Sequence, residues 1–354
     1  MKTSRLAWGA SVALVLLAVV VAAMYRRDLD AARERVLDGS RVAATACGPI
    51  EYASAGEGQA VLLVHGAGGG FDQGLDFAHG LARAGLRELS VSRFGYLRTP
   101  LPEDASPRAQ ADAYACLLDS LGIARVAVIA ASAGAPSAMQ FAIRHPERCT
   151  ALVLVVPAAF VPRGAGMPSM STPAATRVLF ETALKSDFAY WASMHVARAS
   201  MLRGIVATPP EIVEAATADE RARVERTLRH VLPVTSRRLG LINDAAVTST
   251  LTRYDLEHIA APTLVISAED DLFGTLDGAR YTADHIPRAR LVAYPTGGHL
   301  LVGRHAEQAA EIAAFLQTAS AGEVRPREHG FEAPHSLRRW IGVMRRGGEP
   351  REHR

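Results

Sequence analysis

A chain of 354 residues, 49% hydrophobic and 21% charged, with 29 Gly and 19 Pro, is neither low-complexity nor disordered by composition and has room for a large core. Its 39 Lys and Arg against 36 Asp and Glu leave +3, too even a balance for a dedicated nucleic-acid binder, whose basic face would dominate the count. Cys47, Cys116 and Cys149 lack zinc-site spacing and disulfide-scaffold density and read as buried free thiols, and the histidines form no metal-binding pair, so no metal site is expected.

Lys2 and Arg5 precede an uncharged, mostly apolar run from Leu6 to Tyr25, closed by Arg26 and Arg27. At 1.5 Å per residue the run reaches about 30 Å, the thickness of a bilayer's hydrocarbon core. It reads as one membrane-spanning helix. The alternative is a cleaved signal peptide using the small residues Val21-Ala22-Ala23, although the run exceeds the usual ~7–15 residue signal core. Arg26, Arg27, Arg33, Arg35 and Arg41 after the span outnumber Lys2 and Arg5 before it, which leans towards a cytoplasmic main body. A charged linker is expected over residues 28–41.

Beyond the linker, short β-branched runs alternate with helical patterns, the signature of βαβ units and a mostly parallel sheet. Val42 to Ala46 and Ile50 to Ala55, joined by Cys47-Gly48-Pro49, read as an antiparallel hairpin. Further strands are predicted at Val61 to Val64, Leu89 to Ser92, Val126 to Ala130, Leu152 to Val156, Thr263 to Ser267 and Arg290 to Tyr294. Several are continuous apolar runs, as expected of strands covered on both faces. Helices are predicted at Gly74 to Ala84, Gln110 to Leu121, Ala135 to His145, Thr275 to His285 and His305 to Ala319. Between about Ala158 and Asp255 the strand rhythm stops and helical pattern takes over, which reads as a cap inserted between two strands. The tail after Ser320 carries eight Arg and five Glu. Within it Leu337, Trp340, Ile341 and Met344 fall on one helical face flanked by arginines, a pattern suited to an anionic membrane surface, the alternative being a disordered tail with chance periodicity.

Three stretches carry chemistry. His65-Gly66-Ala67-Gly68-Gly69-Gly70 follows a strand, and its small residues let backbone N–H groups approach a ligand closely. It lacks the Lys-Ser/Thr ending of a phosphate loop and the register of a dinucleotide loop. Val128-Ile129-Ala130-Ala131-Ser132-Ala133-Gly134-Ala135-Pro136 ends a strand on a serine enclosed by tiny residues and opens a helix, the shape of a nucleophile elbow with Ala130 in place of the usual first Gly. Downstream, one strand runs into Ala268-Glu269-Asp270-Asp271 and the next into Pro295-Thr296-Gly297-Gly298-His299. A hydroxyl becomes a competent nucleophile when an imidazole accepts its proton, and the imidazole needs a carboxylate to fix its tautomer. Ser132, Asp271 and His299 supply those roles in the order Ser, Asp, His.

The chain therefore resembles the α/β-hydrolase family, serine-nucleophile branch, from about Val42 to Ala319. The resemblance implies a mostly parallel eight-stranded sheet with helices on both faces, an inserted helical cap and no cofactor. The expected organisation is a membrane anchor at 1–27, the linker, core segments at 42–157 and 258–320 around a cap at 158–257, and a basic tail at 321–354. The resemblance implies that the backbone N–H groups of Ala67 and Ala133 form the oxyanion hole, and that Asp271 is the acid, as the fourth residue of a turn in which Ala268 replaces the family's glycine. Asp270 is expected to be a solvated loop carboxylate or a helix-capping group. Phe71, beside the glycine loop, is expected to line an apolar substrate pocket. The implied activity is cleavage of an ester or related acyl bond of a small, largely apolar molecule. Carbon–carbon bond hydrolases and cofactor-free haloperoxidases share this fold, though the former tend to place a polar residue where Ala131 stands. A non-catalytic ligand-binding module is the reading from another class. Expected partners are a small-molecule substrate and a membrane, through residues 6–25 and the tail, with no nucleic acid.

Overall fold

The computed structural model describes residues 2–77, 85–162 and 184–320. Its centre is one eight-stranded sheet built from β1 (Arg41–Thr45), β2 (Gly48–Ala55), β3 (Gln59–Val64), β4 (Leu86–Val91), β5 (Val126–Ala131), β6 (Cys149–Val155), β7 (Thr263–Ala268) and β8 (Ala289–Tyr294). The strand order is β1-β2-β4-β3-β5-β6-β7-β8. The β1–β2 and β2–β4 pairs are antiparallel and the remaining pairs parallel. Each predicted strand is present within a few residues of its expected bounds.

The two-residue period of a strand sorts its apolar run into two layers. Leu62 and Val64 of β3, Val128 and Ala130 of β5, and Leu152 and Leu154 of β6 pack on one side of the sheet. Val61, Leu63, Ala127, Ile129, Val153 and Val155 pack on the other. Helices close both layers: α2 (Phe71–Phe77), α3 (Pro107–Ser120) and α4 (Ala135–Arg144) come from the first half of the fold, α10 (Thr275–His285) and α11 (His305–Ser320) from the second. The helix start at α3 is set by local chemistry: Ser106 is extended, its Oγ accepts from the Ala109 N–H, and Pro107 opens the first turn. The helix expected over residues 74–84 begins earlier, at Phe71; residues 78–84 lie outside the described residues, as does the amphipathic stretch Leu337 to Met344.

Between β6 and β7 the chain forms α5 (Asp187–Val196), α6 (Arg198–Gly204), α7 (Pro210–Glu214), α8 (Ala218–His230) and α9 (Arg238–Ser249). These pack around their own apolar cluster, which contains Tyr190, Trp191, Met201, Leu228 and Val234.

Two expectations are corrected. The segment 28–41 is not an open linker: α1 is one helix over Lys2–Leu37, long and apolar enough at its start to cross a membrane. Leu29, Ala32 and Val36, spaced along one face, are 5%, 2% and 8% exposed, and Trp191 Nε1 donates to Asp28 at 2.9 Å. Charges on the other faces dilute this stripe in composition. The cysteines are not all free thiols either. Cys47, in the β1–β2 turn, is disulfide-bonded to Cys116 of α3 with their Cα atoms 6.0 Å apart, and Cys149 alone is free and buried. The two partners are 69 residues apart in sequence, and only the packing of α3 beside β1 brings them together.

Candidate active site

The chain leaves β3 for β4 on one side of it and returns to β5 on the other. The crevice beyond the C-terminal ends of β3 and β5 is therefore a topological switch point, where open α/β sheets hold their ligands. Val64 pairs with Ala130, so the glycine loop after β3 and Ser132 after β5 emerge side by side. Ser132 has φ +49°, a left-handed conformation uncommon outside glycine, and opens a single tight turn that leads into α4. The turn is crowded from below. A Cβ at Gly134 would lie 2.6 Å from the His65 carbonyl oxygen, and one at Gly66 would lie 3.2 Å from the Ser132 Cβ. The methyl of Ala130 is accommodated, at 0% exposure, in the core under the sheet.

His299, on the loop after β8, places Nε2 2.9 Å from Ser132 Oγ and Nδ1 2.8 Å from Asp271 Oδ2. A carboxylate only accepts, so Nδ1 carries the proton and Nε2 is free to accept from the serine hydroxyl. Burial pushes the Asp271 carboxyl up, but the neighbouring His299, the hydroxyl of Thr275 and the Phe273 N–H at 2.9 Å outweigh it and hold the carboxyl below its ordinary range. The Phe273 ring stands edge-on to the imidazole, with centroids 4.9 Å apart.

Asp270 differs from its expected role. Its two oxygens accept the N–H groups of Gly297 at 3.1 Å and Gly298 at 2.7 Å, the two residues that precede His299. It is a clamp on the histidine loop and not a solvated or capping carboxylate. A second clamp comes from the helical insertion, where the Ala207 carbonyl accepts from Leu272 N at 3.0 Å and His299 N at 3.3 Å. Sequence spacing carries no sign of either clamp, because both join loops that only the fold makes neighbours.

The glycine loop is held by groups that the motif reading passed over. His65 Nε2 accepts from the Arg93 N–H at 3.0 Å, so its Nδ1 donates to the Gly66 carbonyl at 2.6 Å. Burial and the nearby Arg93 guanidinium push the His65 pKa well below the usual imidazole value, and the ring is neutral. The Tyr96 hydroxyl accepts from Gly68 N at 3.2 Å and donates to Asp244 of α9, which also takes a buried two-pronged ion pair from Arg93 at 2.6 and 2.7 Å. The insertion is thereby latched to the loop after β4.

Ala67, Ala133, Ser132 and His299 border one cavity of about 1180 Å³, with Leu63, Ile129, Val155 and Leu241 among its apolar walls. That exceeds the about 300–1,000 Å³ common for small-molecule sites. Phe71, expected on this wall, is absent from the described lining. It is 2% exposed, and the side chains of Ser90 and Ser92 hold its backbone at 2.7 and 3.2 Å beneath the loop. Leu272 and Phe273, both partly exposed, line the cavity instead. Among the described residues no group of three His, Cys, Asp or Glu side chains could hold a metal ion.

Residues 59–306 match the family model described as alpha/beta hydrolase fold. An uncharacterized hydrolase, YcgS, of Bacillus subtilis is 27% identical over 280 residues, covering 75% of this chain and 93% of that protein. A 2-hydroxy-6-oxo-6-phenylhexa-2,4-dienoate hydrolase of Comamonas testosteroni is 26% identical over 255 residues, covering 71% and 84%. Among solved structures, an alpha/beta hydrolase fold protein from Nakamurella multipartita superposes with a TM-score of 0.59 at 29% identity, covering 79% of this chain and 99% of that one.

Proposed function

This chain belongs to the alpha/beta hydrolase fold family and acts as a hydrolase, and on that footing we propose that it cleaves an ester or related acyl bond by a Ser132, His299 and Asp271 triad. The observation that carries this reading is the unbroken relay from Ser132 Oγ through the two ring nitrogens to Asp271, on three separate strand ends. Ser132 Oγ attacks the acyl carbon while His299 Nε2 takes its proton. The amides of Ala67 and Ala133 receive the oxyanion. The tetrahedral adduct collapses to an acyl-serine as His299 protonates the departing alcohol, and water repeats the sequence to release the acid. Asp271 stays ionised and stabilises the imidazolium. The test is a panel of p-nitrophenyl esters read beside fluorophosphonate labelling. Hydrolysis without labelling at Ser132, or neither, overturns the triad reading.

A carbon–carbon bond hydrolase is the second reading, supported by the likeness to the Comamonas dienoate hydrolase. It uses the same pocket with a ketone carbon in place of the ester carbonyl. Turnover of a vinylogous 1,5-diketone in preference to any ester would favour it.

The expected cap at 158–257 includes residues 163–183, which lie outside the described residues; its described helices act in this proposal as a cap over the cavity, and the apolar walls select neutral, apolar groups. Across straight-chain acyl esters, kcat/KM should rise by about fourfold, the equivalent of about 0.8 kcal/mol, for each methylene buried until the cavity is filled. A response flat with chain length, together with a preference for charged acyl groups, would count against the apolar pocket.

The first part of α1 spans a membrane in this proposal, its apolar side chains from Trp8 to Val20 being exposed in the folded chain. The Cys47–Cys116 disulfide favours an exported catalytic unit, since such bonds persist in oxidising compartments, against the cytoplasmic side suggested by the arginine count. A fluorophosphonate that cannot cross membranes should label the protein in intact cells, in the membrane fraction. Removal of residues 1–25 should move active protein to the soluble fraction, because the docking face from Leu29 to Val36 is retained. Labelling that needs lysed cells would reverse the orientation, and a deleted form that still sediments would place the anchor elsewhere.

A further inference from the structure

Asp72, the second residue of α2, is where three distant parts of the chain meet. Arg237, from the helical insertion, reaches it with NH2 at 2.8 Å and NH1 at 3.2 Å, and the same NH1 donates to the carbonyl of Gly69 at 2.5 Å. Arg35, near the end of α1, donates from Nε to Asp72 Oδ2, the oxygen that Arg237 NH2 also reaches, at 3.0 Å, and from NH2 to the Leu232 carbonyl at 2.5 Å. The Asp72 and Arg237 side chains are 4% and 0% exposed, and that of Arg35 is 26% exposed. Burial raises the Asp72 carboxyl, but the guanidiniums of Arg237 and Arg35 outweigh it and bring its pKa down to about 2.

The node presses against the glycine loop. A Cβ at Gly70 would lie 2.5 Å from Leu97 Cδ1, 2.6 Å from Arg237 NH1 and 2.9 Å from Asp72 Oδ1, so the ion pair and Leu97 crowd the loop backbone there. The loop is a closed turn, Gly69 N donating to the Gly66 carbonyl at 3.3 Å, and Gly66 lies against Ser132. Ala67 sits inside that turn.

We propose that Arg35 is a positioning residue for the hydrolytic site: by sharing Asp72 with Arg237 and holding the Leu232 carbonyl, it fixes the glycine loop that presents the Ala67 amide. The inference rests on the hydrolase reading above. It makes the last turns of the anchor helix a working part of the catalytic unit and not a tether to it. Two cations on one carboxylate define the position of Arg237. Without Arg35 the carboxylate turns towards Arg237, the bond from Arg237 to Gly69 shifts, and the loop amide departs from the oxyanion position. A donor aimed at developing charge acts in the transition state, so the loss falls on kcat and not on substrate binding.

The test uses the full chain in its membrane or in detergent, with Arg35→Ala and, as the milder change, Arg35→Gln. For each, kcat and KM on one ester, the rate of fluorophosphonate labelling at Ser132, the affinity for a boronic acid that forms a tetrahedral adduct there, and Tm are measured. The expected result is a fall in kcat of about tenfold per labelled molecule, with KM within about twofold and boronate affinity weakened in step with kcat. Arg35→Lys, which keeps the charge and one donor, should recover part of the loss. A lower Tm with kcat per labelled site and boronate affinity unchanged in the folding variants would mean a purely structural ion pair and would overturn the proposal. An active, labelled wild type beside an equally active Arg35 variant overturns this inference alone. A wild type that neither turns over esters nor labels at Ser132 overturns the hydrolase reading, and this inference with it.

Discussion

Ser132→Ala is expected to abolish covalent labelling by a fluorophosphonate and to lower turnover by about 10⁴ to 10⁶, the usual cost of losing a triad member. The variant removes only Oγ. The left-handed turn at Ser132, the Ala133 amide and the glycine loop stay in place, so the cavity still binds substrate and any residual rate reflects water attack with the remaining amides. His299 then has no hydroxyl within 2.9 Å to deprotonate. Initial rates and intact-mass spectrometry of the labelled protein provide the measurement. A mutant that labels fully and turns over like the wild type would remove Ser132 as nucleophile and shift attention to another group in the cavity.

Asp271→Asn is expected to lower the acylation rate by about 10⁴. The amide preserves shape but can present its NH2 to His299 Nδ1, which favours the tautomer with the proton on Nε2, where it cannot accept from Ser132. Asp271 is also buried and collects the Thr275 hydroxyl and the Phe273 N–H, so a neutral side chain there loses charge-assisted bonds that the loop was built around. Asp270→Asn makes the useful contrast. It keeps one acceptor for the Gly297 and Gly298 amides and turns an NH2 against the other, so a loss of about 10- to 100-fold is expected through misplacement of His299, on the scale of about 1.5–3 kcal/mol for a charged hydrogen bond. Acylation rates of both variants on one substrate at one pH decide the ranking. The reverse order would move the triad acid to Asp270.

The eight strands, the order of the three chemical motifs and the small-residue loops were legible in the sequence because each rests on local spacing. An apolar run of four to six residues between turn signals commits a strand, and a serine among alanines and glycines commits a tight strand-to-helix turn whatever lies around it. The apolar start of α1 follows from the same local rules, but its continuation to Leu37, docked through Leu29, Ala32 and Val36, does not. What the residues around the site do was decided by tertiary structure alone. Arg35, Asp72 and Arg237 stand 37 and 165 residues apart, Asp270 reaches glycines 27 and 28 residues away, and Arg93 finds Asp244 across 151. Each of these residues looks in isolation like a solvated charge. Burial makes an unpaired charge costly, so it becomes a fixed partner only once the folded chain supplies the opposite group, and that group can lie anywhere in the sequence. Phe71 shows the same logic in reverse: its neighbourhood to the glycine loop in sequence suggested a pocket wall, but the helix it opens turns it under the sheet end, and Phe273 from a loop 202 positions later takes the place beside His299.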